Sequence, residues 1–191
     1  LDYLLRLAEL DALPDTQMVN QIATHMLKSS APAPSVETIL HACLPHKFVD
    51  HTHADAVLAI TNAPDGERRM REIYGDAVVI IPYVMPGFDL ARLCAGEYPR
   101  QAGADTIGMV LLSHGIFSFG DSARQSYERM IDLVGRAEDY LKRERAWDIP
   151  PGAATPARID MLQQARLRHK LSDAAGAPMI MATHADEETL A

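Results

Sequence analysis

The chain has 191 residues, enough for one domain with a hydrophobic core and a short appendage. Its 26 acidic and 18 basic residues give a formal net charge of −8, which argues against general binding to nucleic acids or anionic membranes because both are polyanions. Two distant cysteines make no disulfide framework, and no apolar run approaches the roughly 18 residues of a membrane span, so we expect a cytoplasmic protein.

Helix-like and extended segments alternate at the start of the chain. Apolar residues three and four apart predict a helix that stops near Pro14, and Asp15 is placed to cap a second helix. The prolines in residues 29–35 favour extended backbone, and Ser35 stands at the position of a cap for a third helix. Residues 48–53 fit a short strand.

The middle of the chain alternates helices with short buried strands. A helix over residues 54–60, capped from Thr52 or Asp55, precedes a second, highly charged helix. The apolar, β-branched runs at residues 77–84 and 106–112 predict buried strands, and a helix lies between them.

One long amphipathic helix dominates the C-terminal half. Residues 114–120 predict the hairpin partner of the preceding strand, and Asp121 or Ser122 caps the helix that follows. Residues 148–156 are the best candidate for a linker because they are rich in proline and glycine. A further helix and a short strand at residues 178–183 come after it.

These elements predict an α/β layered protein in three parts. The main domain covers residues 1–147, the linker residues 148–156, and a helix–strand appendage residues 157–191.

His51 and His53 are the first sign of chemistry. Residues two apart on a strand project to the same face, so both imidazoles can reach one metal ion at about 2.0–2.1 Å. Two histidines on a polar strand face are the structural alternative, and the pattern alone has only two fixed positions.

His114 is the second sign. It ends an apolar strand and precedes Gly115, which lets backbone approach a bulky site closely. Functional groups of α/β folds are placed at such strand ends, although a hydrogen-bonded histidine there is a structural alternative.

Glu37 and His41 share one face of the third helix because they are four residues apart. A carboxylate near a helix N-terminus is stabilised by the helix dipole, so a structural role is also open. Three neutral imidazoles would leave a divalent zinc ion with room for a fourth ligand, and a nearby glutamate can serve as ligand or as base.

The order of motifs PSVE, HTHAD and LLSHGIFSFG, followed by a long helix, resembles the class II aldolase/adducin family. The resemblance implies a three-layer αβα domain with a central, largely antiparallel sheet. It also implies zinc or another divalent metal held by His51, His53 and His114, with Glu37 as the catalytic base. Ser35 matches a serine of the family's phosphate site, and His41 and Asp50 are expected to lie behind the ligands.

One part of the family's pattern is missing. Family members carry an N-terminal Gly-Asn-x-Ser loop that helps to hold the substrate phosphate, and residues 1–34 contain no match to it. A second family serine is Val36 here. We expect the chain to be a fragment of a longer protein, in which a short-chain dehydrogenase domain follows, as in bifunctional relatives linked to rhamnulose-phosphate breakdown.

The resemblance implies retro-aldol cleavage of a phosphorylated ketose, similar to rhamnulose 1-phosphate, to dihydroxyacetone phosphate and an aldehyde. A homo-oligomer, a tetramer in the family, is expected. Three alternatives remain open: a sugar-phosphate 4-epimerase, a non-catalytic adducin-like interaction domain, and a metal-binding fragment that is inactive without the loop.

Overall fold

A four-stranded mixed sheet forms the centre of the first of two units, Leu1–Arg145 and Ala146–Ala191. The computed structural model describes residues 2–146 and 160–182. In chain order the strands are β1 (Phe48–Thr52), β2 (Val78–Ile81), β3 (Gly108–Leu111) and β4 (Gly115–Gly120). Their order across the sheet is β1-β4-β3-β2.

Two of the three strand pairings are antiparallel. β4 pairs antiparallel with both β1 and β3, whereas β2 pairs parallel with β3. The prediction of a largely antiparallel sheet is therefore confirmed, and the hairpin of β3 and β4 forms as predicted. The register places Thr52 opposite Ile116 and Leu111 opposite Gly115, so the end of β1 and the β3–β4 turn meet at one edge of the sheet.

Helices cover both faces of this sheet, which confirms the three-layer αβα architecture. The first unit contains α1 (Asp2–Ala8), α2 (Asp15–Thr24), α3 (Thr38–Cys43), α4 (Asp55–Thr61), α5 (Gly66–Tyr74), α6 (Phe88–Gln101) and α7 (Ala123–Arg143). Val79 and Ile81 point into an apolar cluster with α1, α2, α3 and α6. Val78 and Ile80 point into a second cluster with α4, α5 and α7, because successive strand side chains face opposite sides.

Three predicted helix caps are wrong. Pro14 and Ala54 hold the N-cap positions of α2 and α4, and neither makes a side-chain cap. Ser35 does not cap α3, which begins at Thr38; its hydroxyl instead accepts a hydrogen bond from the Glu37 N–H at 3.1 Å. Asp15 accepts a hydrogen bond from the Phe88 N–H at 3.3 Å, so this carboxylate serves the start of α6 rather than its own helix.

Of the two residues predicted to cap α7, Asp121 and Ser122, it is Ser122 that holds the N-cap position. Its hydroxyl accepts a hydrogen bond from the Gln125 N–H at 3.2 Å and satisfies one of the free donors at the start of α7. α7 packs against α4, α5 and the sheet through one apolar stripe that includes Met130 and Leu133.

The described part of the second unit is a single helix, α8 (Met161–Ala175), capped by Asp160 and ended by the left-handed Gly176. The helix therefore begins four residues later than the predicted start at Ala157. Residues 178–182 contain no strand, so the predicted strand there is wrong. The predicted linker at residues 148–156 lies outside the described residues. Among the described helices, none is long and apolar enough to cross a bilayer.

Candidate metal centre

Four side chains with metal-binding atoms converge at the sheet edge where β1 ends and β4 begins. His51 lies on β1 and His53 just beyond its end, while His114 lies in the turn between β3 and β4. Glu37 occupies the N-cap position of α3. One ligand atom from each of these residues lies within 4.8 Å of the ligand atoms of the others.

Glu37 lies between two of the histidines. Its Oε1 is 2.8 Å from His114 Nε2 and 3.6 Å from His51 Nε2. The side chains of Glu37, His51 and His114 are 15%, 11% and 8% exposed. The carboxylate is thus held among imidazole nitrogens at a largely dry site, whereas His53 is exposed and opens the cluster to solvent.

Unpaired buried atoms test whether this cluster fits a metal ion. In residues 2–146 and 160–182, three buried side-chain atoms have no partner in hydrogen-bonding geometry: Glu37 Oε1, His51 Nε2 and His114 Nδ1. Glu37 Oε1 lies 2.8 Å from His114 Nε2, but only as a close ion-pair contact. Buried polar atoms normally have partners. Two of these atoms, Glu37 Oε1 and His51 Nε2, face each other 3.6 Å apart, which is consistent with a site that binds a ligand. Tetrahedral zinc with bonds of about 2.0–2.1 Å holds its ligand atoms about 3.4 Å apart. The ligand atoms of this cluster are separated by distances from 2.8 Å, between Glu37 Oε1 and His114 Nε2, up to 4.8 Å, a range that includes this spacing.

β4 fixes the orientation of His51. The Nδ1–H of His51 donates to the Ile116 carbonyl at 3.1 Å, which leaves Nε2 as the nitrogen with a free lone pair. Metal-binding histidines in proteins are usually held by this type of hydrogen bond. The Phe117 ring stacks on the His51 ring, with centroids 4.0 Å apart and an angle of 18° between planes.

Gly115 allows β4 to approach both imidazoles of the His-x-His pair. A β-carbon at this position would lie 2.6 Å from the Thr52 carbonyl oxygen, 2.8 Å from His51 Cε1 and 2.9 Å from His53 Cδ2. Contacts this short are not found for real β-carbons. Only glycine therefore fits next to His114.

Ser113 has a left-handed backbone with φ of 56°. Such backbone is unfavourable for a residue with a β-carbon, and strained residues of this kind concentrate at functional sites. Its position immediately before His114 sets the direction in which the turn presents that imidazole.

Burial keeps three histidines of this region neutral. It lowers the pKa of His51 to about 4, and the negative charge of Glu37 opposes the shift only in part. Burial also lowers the pKa values of His114 and His41, again against the opposing charge of Glu37. Neutral imidazole is the form that binds metal, so His51 and His114 are prepared for ligation at neutral pH.

The remaining predicted site residues lie around the cluster. His41 is half-buried and packs against Phe117, with ring centroids 5.2 Å apart, and against His51 at 6.5 Å. Asp50 is exposed and, as the neighbour of His51 on β1, projects from the other face of the strand. Ser35 is exposed and touches the site only through its hydrogen bond to the Glu37 backbone.

Sequence reasoning did not single out Phe117, Ser113 or the Ile116 carbonyl. In the sequence pattern Phe117 looks like any buried strand residue. Neither the contact of the Ile116 carbonyl nor the left-handed φ of Ser113 can be predicted from the residue types at these positions. The pairing of β1 with β4 is the signal that would have found Phe117, because it places this residue opposite His51.

The chain belongs to the class II aldolase/adducin family. The family model described as the class II aldolase and adducin N-terminal domain matches residues 6–141, which include all four residues of the cluster. Class II aldolases are metal-dependent enzymes, and the His/Glu cluster is a possible metal site of this kind.

Two relatives extend this result. The structure of the N-terminal class II aldolase domain of a conserved protein from Thermoplasma acidophilum is 41% identical, with a TM-score of 0.66, over 73% of this chain and 63% of that chain. A Bacillus subtilis (strain 168) protein named "Uncharacterized oxidoreductase YuxG" is 37% identical over 141 residues, 74% of this chain and 20% of the relative. The chain thus matches less than two thirds of the length of either relative.

Proposed function

We propose that this domain cleaves a phosphorylated ketose, similar to rhamnulose 1-phosphate, by a zinc-dependent retro-aldol reaction to dihydroxyacetone phosphate and an aldehyde. The observation that carries the proposal is the cluster of Glu37, His51, His53 and His114, whose ligand atoms lie within 4.8 Å of one another. Three imidazoles and one carboxylate are a donor set that suits zinc.

The cleavage of a carbon–carbon bond leaves negative charge on the ketose fragment. When bound, zinc supplies Lewis-acid stabilisation of that charge. His51 and His114 would hold the ion as neutral ligands, and the exposed His53 would complete the set on the solvent side.

Glu37 is the residue placed to move a proton. Its carboxylate is 15% exposed and lies 2.8 Å from His114 Nε2, so it is next to the position that a substrate bound at the histidines would occupy. A general base must come within hydrogen-bond reach of the proton that it transfers. The position of Glu37 at the start of α3, beside the histidines, supports this role.

The lysines of the chain give no support to an aldolase that works through a Schiff base. The four lysines, Lys28, Lys47, Lys142 and Lys170, are all exposed. A Schiff-base lysine is normally activated by a desolvated pocket or by a neighbouring cation that lowers its pKa. This favours stabilisation of the anion by a metal.

Two variants test the proposal. The purified chain should contain close to one zinc per protomer, and His53→Ala should lose it. Glu37→Gln should keep its fold and its zinc but lose on the order of 10²–10⁴-fold in cleavage of rhamnulose 1-phosphate, the usual worth of a positioned base. His41→Asn, in α3 and four residues from Glu37, is the matched control. Its rate of cleavage should lie between that of Glu37→Gln and that of the wild type.

Two results would overturn this assignment. A folded wild-type chain that contains no metal would refute the assignment of a metal centre. Near wild-type turnover in Glu37→Gln would refute the assignment of Glu37 as the base. Interconversion of two sugar phosphates without release of the aldehyde would move the assignment to an epimerase that uses the same site.

We also propose that the domain acts within a homo-oligomer and next to a dehydrogenase domain. Tyr127 and Ile131 are 62% and 56% exposed on α7, an apolar surface that a subunit contact could cover. The oxidoreductase named in the B. subtilis relative, of which this chain spans 20%, supports the second part. Sedimentation as a monomer at micromolar concentration would contradict the first.

A further inference from the structure

Phe117 is a fully buried aromatic residue that faces His51, one of the proposed metal ligands. It lies on β4 directly opposite His51 in the strand register, and its side chain is 0% exposed. Its ring covers one face of the His51 imidazole, with centroids 4.0 Å apart. The same ring also contacts His41, at 5.2 Å between centroids and 60° between planes.

Three consecutive residues of β4 act on His51, each in a different way. Gly115 permits close approach of the strand, and the Ile116 carbonyl accepts the Nδ1–H at 3.1 Å. One hydrogen bond fixes the position of Nδ1 but leaves the ring free to turn about that bond. The stacked ring of Phe117 removes this freedom, because it fixes the plane of the imidazole.

We propose that Phe117 is a positioning residue of the metal centre: it holds the plane of the His51 ring so that Nε2 stays directed at the other three donors. The inference rests on the metal centre of the proposed function. Ligation draws electron density from the imidazole, and the negative face of the Phe117 ring stabilises the positive charge that develops there. The stack therefore favours the metal-bound form as well as the geometry that binds the metal.

Phe119 provides a matched control on the same strand. It lies two residues further along β4 on the same face, is also 0% exposed, and belongs to the same apolar cluster. It stacks on a histidine too, His46, with centroids 4.3 Å apart and an angle of 4°. His46 is outside the four-residue cluster and pairs with the Tyr98 hydroxyl at 2.6 Å. Phe119 thus has the same packing environment without a metal ligand.

The test compares Phe117→Leu with Phe119→Leu in the 191-residue chain. The readouts are the dissociation constant for Zn²⁺, measured by competition with a chromophoric chelator, and the visible spectrum of the Co²⁺-substituted protein. Urea unfolding measures stability alongside. Both variants should lose stability to a similar degree, since each removes a buried ring. Phe117→Leu should also bind Zn²⁺ about 10–100-fold more weakly, with a shifted Co²⁺ spectrum, as is usual when a group that orients a ligand is lost.

Phe119→Leu should keep the Zn²⁺ dissociation constant within about twofold of the wild type, because the ring contacts of Phe119 are with His46 and Tyr98 and include no residue of the metal cluster. Phe117→Tyr retains the ring face and should restore tight binding. If Phe117→Leu does not fold, Phe117→Met, which fills the space with a flexible side chain, takes its place with the same expected loss. Equal Zn²⁺ affinities in the Phe117 and Phe119 variants would overturn the positioning role.

The wild type and His53→Ala separate this inference from the proposed function. A wild type that binds no Zn²⁺, or a His53→Ala variant that binds it equally well, removes the metal centre itself. The alternative outcome is that the wild type binds Zn²⁺, His53→Ala does not, and Phe117→Leu binds with unchanged affinity. This outcome would refute only the role of Phe117.

Discussion

Replacement of Gly115 by alanine tests the close packing of β4 against His51 on β1 and His53 just beyond the end of β1. The added β-carbon would lie 2.6 Å from the Thr52 carbonyl oxygen, which is 0.8 Å inside the 3.4 Å at which ordinary contact begins. The ring atoms of His51 and His53 would be 2.8 and 2.9 Å away. The Thr52 oxygen belongs to the backbone, so a rotamer change cannot relieve the overlap and β1 must move away from β4.

This displacement should lower both stability and metal affinity. Overpacking of a tight core costs about 1–3 kcal/mol. At roughly 2–4 °C per kcal/mol for a chain of this size, the Tm should fall by about 2–12 °C. Because both histidines move with β1, we expect at least about tenfold weaker Zn²⁺ binding, comparable to the loss of an orienting group.

Gly96→Ala is the matched control. Gly96 lies within α6 and is exposed, and a β-carbon there would have nothing within 4 Å. Alanine should therefore stabilise the helix by about 0.5–1 kcal/mol and leave Zn²⁺ binding unchanged. Thermal unfolding measures the Tm of both variants, and competition with a chelator measures their Zn²⁺ affinities. An unchanged Tm and Zn²⁺ affinity in Gly115→Ala would refute the packing argument.

Two further predictions concern stability alone. Burial lowers the pKa values of His41, His51 and His114 below the ordinary 6.5, so the unfolded chain binds protons at a pH where the folded chain does not. In the metal-free protein, the stability that these neutral histidines contribute should be fully present above pH 6.5 and should decrease as the pH falls towards the pKa values of the folded state, about 4 for His51. Urea titrations with a chelator at pH 5.5 and pH 7.5 measure this. An unfolding free energy at pH 5.5 equal to or greater than that at pH 7.5 would contradict the prediction. Ser122→Ala should lower the unfolding free energy by about 1 kcal/mol through loss of the α7 cap while Zn²⁺ affinity stays unchanged, and an effect below the error of a urea titration would show that the cap contributes nothing.

Local patterns in the sequence were sufficient to predict many of the helices and strands. The apolar, β-branched runs predicted β2 and β3, and the single-sided stripe after Ser122 predicted α7. These signals are reliable because burial of a whole run or of one helix face depends on residues close together in the chain. The placement of His51 and His53 on one side of the chain follows from the same kind of reasoning, since strand side chains alternate.

The helix caps show where local reasoning failed. Asp15 and Ser35 are good capping residues by type, yet neither caps its own helix. Asp15 bonds to the Phe88 N–H, 73 residues away in the chain. A carboxylate can satisfy any free N–H that packing brings near, so the tertiary structure rather than the local sequence chooses its partner.

The sequence by itself, with its resemblance to the family, predicted the candidate metal ligands: three histidines and one glutamate, which the structure brings within 4.8 Å of one another. Only the tertiary structure decided that β1 pairs with β4, and this pairing places Gly115, the Ile116 carbonyl and Phe117 against His51. The register of two strands more than 60 residues apart depends on which apolar faces the whole sheet buries, and no local pattern encodes it. The candidate ligands can therefore be predicted from the sequence, whereas the groups that contact His51 can be found only in the tertiary structure.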